Sequence, residues 1–65
     1  MKNYQLWKES ARILVSFTVM GEVVNVGEIQ TDYSGTHILS NKDMSLSNAR
    51  NYYKSLVHDG YKRVK

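Results

Sequence analysis

The sequence predicts an α+β domain: a three-stranded antiparallel sheet, four-stranded if the N-terminal segment also pairs, with one C-terminal helix packed on one face. Two observations carry the prediction. Residues 11–20 alternate with a period of two, Ile13, Val15, Phe17 and Val19 against Arg12, Leu14, Ser16 and Thr18, as a strand with one buried face does. Residues 45–60 change to a helical period, with Ala49, Tyr52, Tyr53, Leu56 and Val57 at i, i+3, i+4, i+7 and i+8.

In chain order, Tyr4-Gln-Leu-Trp7 can add an edge strand, and Ala11–Met20 is the first strand proper. Gly21-Glu22 turns the chain into Val23–Thr31, the antiparallel return. Val24 and Val26 share a face there, Ile29 is out of phase with them, and a bulge near Gly27 would restore the phase. Asp32-Tyr-Ser-Gly35 has turn composition, Thr36–Leu39 is a short third strand, and Ser40–Asp43 leads to the helix. Ser45 is the expected N-cap, its hydroxyl accepting from the Asn48 amide, with Met44 and Ala49 placed as a hydrophobic staple. At the other end Gly60 suits the left-handed position, which would set Tyr61 against Leu56.

A chain of 65 residues makes one domain, residues 1–65, and 42% hydrophobic residues make it globular rather than disordered. So short a chain leaves little material for the walls of a deep catalytic cleft. Absence of cysteine removes disulfides and thiolate metal sites. Met1–Glu9 has no signal-peptide run, and no stretch approaches the roughly 20 apolar residues of a membrane span. A cytoplasmic protein without a membrane partner is expected.

The net charge of +3 is unevenly spread. Residues 1–45 hold four cations against five carboxylates, net −1, whereas residues 46–65 hold Arg50, Lys54, Lys62, Arg63 and Lys65 against Asp59 alone, net +4. A polyanion would approach from the helix and tail.

Catalytic signals are sparse. His37 and His58 belong to no motif, and a histidine in a last helical turn is accounted for by the helix dipole. No histidine or carboxylate spacing matches a metal site, no carboxylates pair as acid and base, and the four glycines form no phosphate loop. No enzyme, cofactor or metal is therefore expected. Arg50 and Lys54, one turn apart, with Lys62, Arg63 and Lys65 behind them, are the expected nucleic-acid contacts. Tyr4, Trp7, Tyr33 and Tyr61 lie outside the apolar helix stripe and could stack on bases. The alternative is a regulator or adaptor that docks on a larger protein through Trp7, Tyr33 and exposed strand edges.

Two resemblances bear on this. A polar N-cap, an alanine four residues on and an aromatic behind it (Ser45, Ala49, Tyr53), after three strands, resemble integrase arm-binding domains and a class of plant DNA-binding domains. That layout implies duplex recognition by an exposed sheet face, for which Arg12 is the one arginine the strands offer. The final stretch, with Met44-Ser45, Ala49, Tyr53, Leu56 and Gly60-Tyr61 followed by Lys62, Arg63 and Val64, is similar to the C-terminal end of an uncharacterised small-protein family of marine cyanobacteria. This similarity implies a host type and no activity.

Overall fold

The computed structural model of the chain describes residues 2–64. β1 (Lys2–Lys8), β2 (Ile13–Met20), β3 (Val23–Asp32) and β4 (Gly35–Ser45) are followed by α1 (Leu46–His58) and the two-residue β5 (Lys62–Arg63). All neighbours are antiparallel, in the order β4-β3-β2-β1-β5. The α+β architecture with its single helix on one face is as expected; the sheet has five strands rather than three or four.

The strands at the two ends of the chain form through their pairing partners. Lys2–Lys8 pairs along its whole length with β2, because Tyr4 and Leu6 supply one apolar face opposite Phe17 and Val15. The chain after α1 does not fray: Lys62 and Arg63 pair with Trp7 and Leu6, and the Val64 amide donates to the Gln5 carbonyl at 2.8 Å. β1 therefore lies inside the sheet.

Strand boundaries and the position of the bulge differ from expectation. β2 begins at Ile13 and not at Ala11, since Arg12 takes a left-handed conformation (φ 54°) in the β1–β2 connection. The Thr31 amide donates to the Arg12 carbonyl at 3.0 Å, the Arg12 amide donates to the Glu9 carbonyl at 3.2 Å, and Arg12 Nε donates to the Thr31 carbonyl at 3.0 Å, which together hold it there. β4 runs unbroken through residues 40–43 to the helix. The bulge lies opposite Glu28 and Ile29, close to the expected place near Gly27, but the extra residue is Leu39 of β4 rather than a residue of β3. β3 keeps its phase, so Ile29 faces away from the helix.

α1 covers one face only. Leu6, Val15, Phe17, Val24 and Val26 from the sheet, Ala49 and Leu56 from the helix, and Tyr61 form the buried core. Phe17 joins the layers, with the Tyr52 and Tyr53 rings 6.0 and 5.4 Å from its own. Val57, expected on the apolar stripe, is 47% exposed because the stripe narrows to Leu56 in the last turn.

Both helix ends follow the sequence. Ser45 Oγ accepts from the Asn48 amide at 3.2 Å. At the C-terminus the Gly60 amide donates to Val57 O and the Tyr61 amide to Leu56 O, a Schellman end that buries Tyr61. Gly60 has φ 105°, and an added Cβ would meet only Lys8 Cε at 3.8 Å. Gly60→Ala is therefore a test of backbone strain without a clash, expected to lower stability by about 1 kcal/mol as read from the denaturant midpoint.

Candidate functional site

The strand registers sort the side chains onto two unlike faces. On the helix side, Lys2 stands opposite Val19 and Tyr4 opposite Phe17, at the end of the sheet where α1 begins. The first two turns of α1 run over this end and leave a cleft of about 690 Å³ between helix and sheet. Its floor is Phe17, Val24 and Ala49, all buried, and its walls are Tyr4, Val19, Leu46 and Tyr53, all half-buried. Lys2, Arg50, Lys54 and Arg63 form the rim, and among the described residues no acidic side chain lines the cleft.

Each cation arrives for a local reason. Arg50 and Lys54 are one helical turn apart on the side of α1 next to the stripe carrying Ala49 and Tyr53. Lys2 alternates with Tyr4 on the helix side of β1. Arg63 pairs with Leu6 and so shares its face, and its guanidinium lies 5.9 Å from the centre of the Tyr4 ring. Among the described residues, none of these four cations makes an ion pair; the pairs present are Lys8–Asp59 at 3.8 Å and His37–Asp32 at 3.2 Å. Beyond Arg50 and Lys54, at the helix N-terminus, Glu22 ends the basic strip.

Of the sequence-derived cations, the fold brings Arg50, Lys54 and Arg63 together. Lys62 pairs with Trp7 and lies on the opposite face of the sheet. Lys65 lies outside the described residues. Lys2 was missed, because no local signal links residue 2 to a helix more than 40 positions away; only the pairing of β1 with β2 and β5 does so.

The open face is different in character. Asn3 Nδ2 donates to Ser16 and Thr18, and Asn25 Nδ2 to Asn41 and Asp43, so one end is a knitted polar surface. A cross-strand row of Trp7, Leu14, Ile29 and Ile38 runs beside it. Ile38 is 79% exposed, and Trp7 Nε1 donates to Glu9 Oε2 at 3.0 Å. Tyr33 stands fully exposed at the β3–β4 tip, whereas Trp7 lies on β1, two strands from β3. Arg12 leaves the strand, and no other strand of this face contributes a cation apart from Lys62 in β5.

His37 shares the β3–β4 tip with Ser34 and Asp32. Ser34 Oγ and Asp32 Oδ1 both meet the same ring nitrogen, Nε2, at 2.9 and 3.2 Å. A nucleophile–base–acid relay uses the two ring nitrogens separately, so the trio lacks that geometry. It is an Asx-type turn: Asp32 Oδ1 accepts from both the backbone and the hydroxyl of Ser34, which together with His37 hold its carboxyl below the usual value.

Tyr52 donates to Glu28 Oε2 at 2.7 Å at the helix–sheet junction. Burial first, and then this bond and the Glu28 charge, push the phenol well above its ordinary value of 10.0. A phenol raised in the folded state contributes stability that is whole below about pH 10 and declines as pH rises past it. Tyr52→Phe should lower stability at neutral pH by about 1 kcal/mol and flatten the alkaline decline, both readable from chemical denaturation at a series of pH values.

Comparison of the chain with known protein families, with curated proteins and with solved structures gives no match. No helix among the described residues is long and apolar enough to cross a membrane.

Proposed function

We propose that this protein is a small non-enzymatic binding module that holds nucleic acid, as an accessory or regulatory factor, in the cleft between α1 and the β1–β2 end of the sheet. One observation carries the reading: Lys2, Arg50, Lys54 and Arg63, drawn from three elements, rim one open cleft that no carboxylate lines among the described residues. Four cations there can meet up to four phosphates and release their counterions, which makes affinity depend steeply on salt. The open face is the poorer polyanion surface, since Asp43 lies on it and its cation is Lys62 at one edge.

The test is an anisotropy titration of the protein with labelled short oligonucleotides. With four single-strand phosphate contacts, the logarithmic salt slope is about −2.8, so affinity falls about 50-fold between about 50 and 200 mM salt. Binding that ignores salt, or no binding at the lower salt, rejects the proposal.

A second reading rests on the apolar row Trp7, Leu14, Ile29 and Ile38, with exposed Leu39 beside it. Such a row on an uncovered sheet face favours a protein partner. Under that reading Ile38→Ser abolishes association with the partner and leaves oligonucleotide affinity unchanged.

A further inference from the structure

We infer that the strand this cleft takes is single, with one unstacked base inserted against Tyr53 between the helix and β1. The inference rests on the nucleic-acid reading above and specifies the form of the ligand.

The shape of the surface argues for it. The cations ring a shallow, open depression of about 690 Å³ whose exposed lining is mostly apolar. A duplex offers phosphates on the outside of a cylinder and keeps its bases stacked, so it could touch the rim and would leave the half-buried walls uncovered. A single strand can turn a base out of its own stack, and every base has a flat apolar face to lay on an aromatic ring.

Both walls of the hollow carry an aromatic. Tyr53, half-buried on α1, is fixed edge-on by Phe17 at 5.4 Å between ring centres. Tyr4, half-buried on β1, has the Arg63 guanidinium over its ring, 5.9 Å from the centre, which holds that cation at the rim opposite Tyr53. Arg50 and Lys54 are four residues apart, about 6 Å along the helix axis, and so offer two successive points of contact to one extended backbone. Lys2 and Arg63 stand on the sheet side of the same hollow. The ring of four charges also distinguishes this occupant from an acyl anion, whose single headgroup would satisfy one or two of them.

The experiment compares three probes on the full chain: an oligothymidine of about ten nucleotides, the same length of duplex DNA, and a single strand carrying one 2-aminopurine. The single strand is expected to bind about tenfold tighter than the duplex, and the 2-aminopurine emission to change on binding, as it does when the base leaves its neighbours. Tyr53→Leu keeps apolar volume and removes the stacking face; it should bring the single strand down to the affinity of the duplex and leave the duplex unchanged. Tyr4→Leu on the opposite wall repeats the measurement if the first variant does not fold. Equal affinity for single strand and duplex, with unchanged 2-aminopurine emission, overturns base insertion while leaving the nucleic-acid reading in place. Absence of binding to all three probes overturns both. Displacement of the oligonucleotide by an equimolar acyl anion such as laurate overturns the choice of occupant.

Discussion

Replacing Arg50 and Lys54 together by alanine should weaken oligonucleotide binding about 25-fold at about 0.1 M salt and halve the salt slope, from about −2.8 to about −1.4. The size follows from counterion release: each single-strand phosphate contact contributes about 1 kcal/mol at that salt, and two contacts are removed. Stability should barely move, because both side chains are exposed, neither makes an ion pair among the described residues, and alanine is the better helix former. The measurement is a salt series on wild type and double variant, with thermal unfolding of both as the control for folding. Lys62→Ala is the internal comparison. Its residue lies across the sheet from the cleft, so the same titration should show a change much smaller than that of the pair.

The largest expected effect on stability is that of Phe17→Ala. Phe17 is 3% exposed, pairs with Tyr4 and Val26 across the sheet, and meets the rings of Tyr52 and Tyr53 from above. It is the side chain through which the helix rests on the central strands. Removing it leaves a cavity that β1, β3 and α1 cannot all close, for a loss of about 3–5 kcal/mol. A chain of this length has about 3–10 kcal/mol in total, so the variant should lose about 15–30 °C in Tm, or be largely unfolded at room temperature. A shift of only a few degrees by circular dichroism would mean that α1 is held by something other than this aromatic junction.

Helix ends were legible because their determinants are local. Ser45, Gly60 and Tyr61 act within five residues of the bonds they make, and both caps form as the spacing predicts. The alternation of Val15 and Phe17 was legible for the same reason, since burial on one face of a strand repeats every second residue. Where the determinant is a partner strand, the sequence was silent. Lys62 and Arg63 look like a solvated tail until β1 offers them an edge. Residues 40–43 look like a linker because Ser, Asn, Lys and Asp favour turns; as the outer strand of the sheet they need bury nothing, and their backbone bonds to β3 suffice.

Ile29 shows how a correct local observation can lead to the wrong repair. Its phase does break with Val24 and Val26, but the physical reason is an apolar row on the open face, where it meets Leu14 and Ile38. A rule that assumes one buried face per strand calls for a bulge there. The extra residue belongs instead to the neighbouring strand, at Leu39.

The candidate site was half legible. The run of cations after residue 46 located Arg50, Lys54 and Arg63, and helical spacing set the first two side by side. Alternation along the C-terminal strand separates Lys62 from Arg63, which no property of a charge run reveals. Lys2 and Tyr4 enter the site only through the sheet order, with β1 lying between β2 and β5.

Amide chemical-shift mapping during titration with a short single-stranded oligonucleotide tests the central claim most directly. The cleft predicts perturbations gathered at Lys2–Tyr4, along Leu46–Lys54 and at Arg63, with Trp7, Leu14, Ile29 and Ile38 left in place. Perturbations confined to that open-face row, or a spectrum unchanged at saturating oligonucleotide, would contradict it.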